Sequence, residues 1–259
     1  MSKDVLVITG GGSGIGRSVA LLAARRGFGV AVLARTPESV RAVADEARQL
    51  GAAEAIGLTC DVTSPPSVAS AFAKVETQLG PLTGLFANAG IELSGFAHEV
   101  SLEVWDAVIA TNLTGTFLVC QQALRSMLAS GCRGSLVLCS SPAGFVGFSA
   151  GAATCYSASK GGVSSMVRSL AVDYAKYGIR VNAVVPGATD TPLMWAGLSQ
   201  DQMSARRAQL SDEIPLGRLA DPDEPAEAVL WLLSDQSRYV TGSHLVCDGG
   251  ILAKASISV

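Results

Sequence analysis

The sequence predicts one α/β domain, a doubly wound parallel sheet of about seven strands with helices on both faces. Three observations carry this reading. Of 259 residues, 49% are hydrophobic and only 16% charged, with 28 glycines, the profile of strands buried on both faces. Short continuous apolar runs alternate with longer segments whose apolar residues recur at helical spacing. The first strand-to-helix turn is a glycine run, Gly10-Gly-Gly-Ser-Gly-Ile-Gly16. No internal repeat or composition break marks a second domain, so residues 1–259 read as one unit.

Composition also narrows the function. A net charge of −3 argues against nucleic acid or an anionic membrane as main partner. No apolar run approaches the ~18 residues of a bilayer span. The opening MSKDVLVITG enters a strand directly, without the pattern of a secretory signal. The cysteines at 60, 120, 132, 139, 155 and 247 form no CxxC pair and read as small core residues in a reducing cytoplasm. With only His98 and His244, no metal site and no His-based triad is expected.

In chain order, Val5–Thr9 is a buried strand and the glycine run leads into a helix through Val19, Leu22 and Ala23. Glycines let backbone approach a phosphate, and a helix N-terminus offers free N–H groups and a positive dipole end. Gly10, Ser13, Gly14, Ile15 and Gly16 are therefore candidate dinucleotide contacts on a Rossmann-like fold. The second strand, Val30–Leu33, ends at Ala34 and Arg35, where such folds meet the adenosine ribose. A carboxylate there would repel a 2′-phosphate and a cation would attract it. Arg35 favours NADP(H), with NAD(H) possible; Arg17 either adds to this pocket or lies on the exposed helix face.

A helix from about Glu38 to Leu50 stops at Gly51, and a strand near Ala55–Cys60 leads to Asp61 and Val62. Ser64-Pro-Pro opens a helix to about Gln78. Leu82–Ala87 is the fourth strand, followed by Asn88-Ala89-Gly90. From Ser101 a long helical pattern reaches Met127, and Asn112 and Gly115 in its middle are locally unfavourable, which suggests a purpose. Ser135–Cys139 is the fifth strand and ends in the pair Ser140-Ser141. Tyr156 and Lys160 then share a helix face at i and i+4. An unperturbed phenol, pKa ~10, is a poor acid or base at neutral pH, and a cation beside it is expected to lower that value. Ile179–Val185 is the sixth strand, ending in Pro186-Gly187-Ala188-Thr189-Asp190-Thr191. The irregular stretch 192–215 holds Leu193, Met194, Trp195 and Leu198 and reads as a short helical lid over a substrate, or as a subunit contact. A last helix through Leu232 and a seventh strand within Tyr239–Gly250 complete the chain.

The pairing of Thr-Gly-x-x-x-Gly-x-Gly at residues 9–16 with Tyr156-x-x-x-Lys160 resembles the short-chain dehydrogenase/reductase family, and the likeness extends over almost the whole chain. The resemblance implies an NAD(P)(H)-dependent oxidoreductase with catalytic Asn112, Ser141, Tyr156 and Lys160 and no metal. It further implies that Asp61 meets the adenine amino group, that Val62 lines its pocket, and that Asn88 and Gly90 border the cofactor. Lys160 would bind the nicotinamide ribose, and Asn112 would hold a water linking Lys160 to solvent. Pro186, Gly187, Thr189 and Thr191 would hold the nicotinamide carboxamide. Ser141 stands fifteen residues before Tyr156, two more than the family's usual spacing, which implies an insertion within 147–154. The expected activity is NADPH-dependent reduction of a small carbonyl compound to a secondary alcohol. An NAD-dependent secondary-alcohol or sugar dehydrogenase and a non-catalytic nucleotide sensor or scaffold are the alternatives. A homotetramer or homodimer is the expected assembly.

Overall fold

The computed structural model describes residues 4–52, 54–93, 95–148 and 151–254. Seven strands form one sheet: β1 (Val5–Thr9), β2 (Gly29–Ala34), β3 (Glu54–Thr59), β4 (Gly84–Ala87), β5 (Gly134–Cys139), β6 (Ile179–Pro186) and β7 (His244–Cys247). Every pairing is parallel, in the order β3-β2-β1-β4-β5-β6-β7. Parallel neighbours need crossovers, and the helices provide them: α1 (Gly14–Arg25), α2 (Pro37–Gln49), α3 (Pro65–Leu79), α4 (Leu102–Ile109), α5 (Gly115–Ser130), α6 (Thr154–Tyr174), α7 (Gln200–Glu213) and α8 (Asp223–Leu233).

Successive strand residues point to opposite faces, and the core divides accordingly. Val5 and Val7 pack with Leu136 and Leu138 under α3, α5 and α6. Leu6 and Ile8 pack with Val30, Val32 and Phe86 under α1, α2 and α8. The order reverses between β1 and β4, and at such a switch point the loops diverge and leave a crevice beyond the carboxyl ends of the strands.

α4 and α5 are joined by a π-helical turn, Ala110–Thr114, into a helix of 29 residues. By length and composition alone it would pass for a membrane span. Its Val119, Cys120, Ala123, Leu124 and Met127 belong to the sheet core instead. Gly115 follows the π turn because a Cβ there would lie 2.7 Å from Val62 Cγ2.

The seventh strand, expected within Tyr239–Gly250, spans four residues, because the chain before it is held by a side chain. Asn182 donates to the Val240 carbonyl at 2.9 Å and accepts from the Ser243 amide at 3.0 Å, and the strand starts after this clamp. The helix expected within 192–215 is present, and it is longer than a short segment. After turns to Gly197 the chain forms the 14-residue α7, opened by a capping box between Ser199 and Gln202 and burying none of its residues. Without an apolar stripe, periodicity could not reveal its extent.

Candidate active site

The carboxyl ends of the strands gather the predicted residues in three groups. The first is the glycine loop. Thr9 Oγ1 accepts from the amides of Asn88 and Ala89 at 3.1 and 3.2 Å, and Asn88 Nδ2 donates to the carbonyls of Thr9 and Gly10 at 3.2 Å each. Asn88 thus staples the start of the loop to β4. Gly10 has a positive φ of 64°, and a Cβ on Gly16 would lie 2.5 Å from the Gly10 carbonyl oxygen, so both positions require glycine. Ser13 precedes α1 in extended backbone, its side chain makes no cap bond, and no acid stands in the first turn. The opening N–H groups of the helix remain available to an anion. Ile15 is half-buried against the core.

Beside this loop lies a cavity of about 290 Å³, lined by Gly10, Gly12 and Ser13, by Leu33 to Thr36 and Ser39, by Cys60 to Val62, and by Ala89 to Ile91 with Thr111. Arg35 is exposed on its wall and makes no hydrogen bond or ion pair among the described residues. Arg17 is committed elsewhere, to Glu46 at 2.6 Å, so of the two candidate cations only Arg35 faces this cavity. Asp61 Oδ1 accepts from the Thr63 amide and hydroxyl at 2.9 and 2.8 Å. Those two bonds, more than the nearby Arg35, hold its carboxyl below the usual range. Asp61 therefore opens a turn and lines the cavity at once, with Val62 beside it. The glycine cradle, the helix terminus and this cavity fit a dinucleotide.

The second group is centred on Tyr156. The π turn swings Asn112 into the interior, where it is fully buried. Its Oδ1 accepts from the Ile91 amide at 2.8 Å, and its Nδ2 donates to the Ile91 carbonyl at 2.9 Å and to Ser159 Oγ at 3.1 Å. Ser159 in turn donates to the Tyr156 carbonyl at 2.7 Å. The Asn112 amide nitrogen and oxygen are thus engaged with protein, and its backbone carbonyl accepts from Thr116 Oγ1 at 2.7 Å.

The serine pair divides its labour. Ser140 Oγ meets Ser164 Oγ at 2.6 Å and the Lys160 carbonyl at 3.3 Å, fixing the end of β5 to α6. Ser141 Oγ accepts from the Ala143 amide at 3.2 Å and stands near enough to the Tyr156 phenol to favour its ionised form. Gly144 admits α6 closely, since a Cβ would fall 2.9 Å from the Lys160 carbonyl carbon. Lys160 is buried, donates to the Cys139 carbonyl at 2.8 Å, and has its Nζ 5.6 Å from the Tyr156 ring centre.

The expected lowering of the phenol pKa is overturned. Burial, reinforced by the Cys139 thiol and the Glu92 carboxylate, pushes Tyr156 well above its ordinary value, and the Ser141 hydroxyl only partly opposes this. The reason is desolvation, which penalises a phenolate more than its neighbours compensate.

The third group is the turn after β6. A Cβ on Gly187 would lie 2.6 Å from Asp248 Cα, so Pro186 and Gly187 seat tightly against the chain after β7. Thr189 is buried and donates to the Gly187 carbonyl at 3.1 Å. Thr191 approaches the glycine loop, its Cγ2 3.1 Å from a Cβ built on Gly14. Gly90 lies at the cavity floor near Asn112, whose Oδ1 would be 3.3 Å from a Cβ there. Exposed Leu93 and Phe96 stand on the chain after β4, and exposed Phe145 and Phe148 on the chain between β5 and α6. Before α6, Ala152 holds a positive φ of 61° and its carbonyl accepts from the Gly95 amide at 2.8 Å. The expected insertion at 147–154 falls partly on Ser149 and Ala150, which lie outside the described residues.

Sequence reasoning missed Glu92, Ser159 and Asp190. Glu92 lies within electrostatic reach of Tyr156 and Lys160, and burial raises its pKa against the fields of Arg206 and Lys160. An acid two residues beyond Asn88-Ala89-Gly90 was the available signal. Ser159 and Asp190 adjoin singled-out residues, but their partners are distant in sequence.

Comparison with known proteins agrees with this geometry. Residues 10–252 match the family model described as enoyl-(acyl carrier protein) reductase. The chain is 44% identical over 253 residues to cis-4-hydroxycyclohexanecarboxylate dehydrogenase of Sinomonas cyclohexanicum, covering 97% of this chain and 98% of that one. A short-chain type dehydrogenase/reductase from Mycobacterium marinum superposes with a TM-score of 0.91 at 34% identity, covering 98% and 97% of the two chains. A single-site variant of actinorhodin polyketide ketoreductase, solved with NADPH, superposes with a TM-score of 0.89 at 35% identity, covering 96% and 97%. With sheet order, glycine loop and near-full-length relatives in accord, the chain belongs to the short-chain dehydrogenase/reductase family.

Proposed function

We propose that this oxidoreductase of alcohol and ketone groups acts as an NADPH-dependent carbonyl reductase, through Ser141, Tyr156, Lys160 and Asn112. The observation that carries the reading is the Ser141–Tyr156–Lys160 cluster at the same carboxyl edge of the sheet as the glycine cradle and the turn at Thr189–Thr191. When bound, the nicotinamide supplies the hydride. Gly10 to Gly16 would hold the dinucleotide's pyrophosphate at the start of α1, with Asp61 and Val62 toward the adenine and Asn88 and Gly90 bordering the cofactor. Pro186, Gly187, Thr189 and Thr191 orient the carboxamide. Tyr156, kept protonated by burial, donates its proton to the carbonyl oxygen, and Ser141 donates a hydrogen bond to the same oxygen as charge develops. Lys160, already turned toward this space, carries the ribose contact and replenishes the proton. Any water relay through residue 112 uses its backbone carbonyl, while the Asn112 side chain keeps Ile91 and α6 in register.

Arg35 supports NADP(H), and the structural relative solved with NADPH supports it further. NAD(H) use as a secondary-alcohol dehydrogenase is the second reading, favoured by the pairing of Arg17 with Glu46, which leaves the cavity a single candidate cation. The apolar rim, with a relative named for a cyclohexane alcohol, supports an uncharged ring-bearing ketone or alcohol as substrate. Residues 192–215 are assigned as the substrate lid. Exposed Phe117, Leu128, Val172, Trp231 and Val246 support a homotetramer or homodimer, and six free thiols support a reducing cytoplasm.

The test is oxidation of NADPH and of NADH over a panel of cyclic ketones, keto-esters and diketones, with Tyr156→Phe beside the wild type. Turnover that favours NADPH and falls at least about 100-fold in the variant is expected. Near-wild-type turnover by Tyr156→Phe would sink the assignment, and a preference for NADH would shift it to the second reading.

A further inference from the structure

The lid reading leaves open what holds α7 in place, since none of its residues is fully buried and only Met203, Arg206, Leu210 and Ser211 are partly covered. Its C-terminal end is seated. Ile214 is buried and would meet a Cβ on Gly249 at 2.7 Å, and Lys254 Nζ donates to the Glu213 carbonyl at 3.0 Å. Among the described residues, the side-chain hydrogen bond from the rest of the helix to the body goes to one carboxylate. Asp190 Oδ2 accepts from Arg207 Nη2 at 2.9 Å, and Asp190 Oδ1 accepts from Trp195 Nε1 at 2.6 Å. The Arg207 guanidinium lies 4.9 Å above the Trp195 ring centre, closing a triangle of three side chains. The backbone beneath is rigid: the Asp190 amide donates to the Ala220 carbonyl at 2.9 Å, and the Ala220 amide returns to Ala188 at 2.9 Å. Arg206, next to the latch, feels the Glu92 carboxylate at the site.

We propose that Asp190 is a positioning residue that fastens α7 and Trp195 to the turn bearing Thr189 and Thr191, so that lid and cofactor turn are set as one unit. The inference extends the lid reading. A lone exposed ion pair contributes little, but here one carboxylate serves two donors, and those donors also stack on each other. Because Asp190 lies between two residues assigned to the carboxamide, loosening the lid also loosens the cofactor turn, and the converse.

The test uses Asp190→Asn, Arg207→Gln and the double variant. NADPH affinity is read by fluorescence titration, and cleavage by trypsin after Arg206 and Arg207 is read by mass spectrometry. Each single variant is expected to weaken NADPH about five-fold, with the double no worse than either, the signature of one shared contact. Asp190→Asn is expected to be cut at least about three-fold faster than wild type, as a loosened segment opens more often. With a turned-over ketone, KM rises while kcat stays within about two-fold. NADPH affinity within two-fold of wild type in both single variants, or losses that multiply in the double, overturns the proposal. If wild type fails to bind NADPH, the cofactor reading falls by itself, and the trypsin comparison decides the latch: equal cleavage overturns it.

Discussion

Tyr156 shows how a single side chain can carry direction. Its neutral form is favoured by burial, so at neutral pH the residue is an acid ready to donate and a base only rarely. Carbonyl reduction draws on the protonated phenol, which is present at every pH below its raised pKa. Alcohol oxidation needs the phenolate, whose fraction grows as pH rises toward that value. The expected kcat/KM for reduction is therefore flat across neutral pH, while that for oxidation climbs steadily into the alkaline range. Parallel pH–rate profiles in the two directions check this, and an oxidation profile that levels off below about pH 8 would mean a cofactor-loaded phenol of lowered pKa. Tyr156 and Lys160 were legible as a pair because their relation is local. The sign of the pKa shift was not, because it depends on burial and on the charges of Cys139 and Glu92, which come from β5 and the loop after β4.

At the scale of the element, the π turn at Ala110–Thr114 organises the site. It turns an asparagine that would weaken a regular helix into a bracket joining β4, the loop at Ile91 and α6. Asn112→Ala leaves the Ile91 amide and carbonyl and the Ser159 hydroxyl short of partners, at roughly 1–3 kcal/mol for each buried group left unpaired. The expected outcome is a lowered unfolding midpoint together with loss of turnover; a variant of unchanged stability would show the bracket to be dispensable. The misfit of Asn112 and Gly115 in a helical pattern was readable beforehand, but the register of the bulge was not, since Asn112 answers to partners 21 and 47 residues away. Strands β1, β2, β5 and β6 were legible as apolar runs. The bounds of β7 within Tyr239–Gly250 were not legible because Asn182, on another strand, decides where its ladder begins, and α7 lacks the stripe that reveals buried helices. The Ala152 backbone, which costs about 1–2 kcal/mol in a left-handed conformation, is another feature no local pattern announces.

For the molecule as a whole, seven parallel strands end at one edge, and the cofactor assigned to that edge touches loops from most of them. Its binding is therefore expected to report on the entire fold. At 100 times its Kd a ligand adds about 2.7 kcal/mol, which for a chain of this size is an upward shift in Tm of several degrees. A thermal scan with NADPH and with NADH at equal concentration ranks the two without knowledge of the substrate. A larger shift with NADPH that disappears in Arg35→Ala is expected, and equal shifts would place no weight on Arg35. One consequence of α7 reaches beyond this chain. A helix with no residue in the core can change most of its sequence at a cost typically within about 0.5 kcal/mol per substitution. Descent, or a mutant library, can therefore rewrite residues 200–213 freely while the sheet stays fixed, with Arg207 as the point of restraint. Novel substrate ranges should arise there first, because this is where the protein can explore without risking its ability to fold.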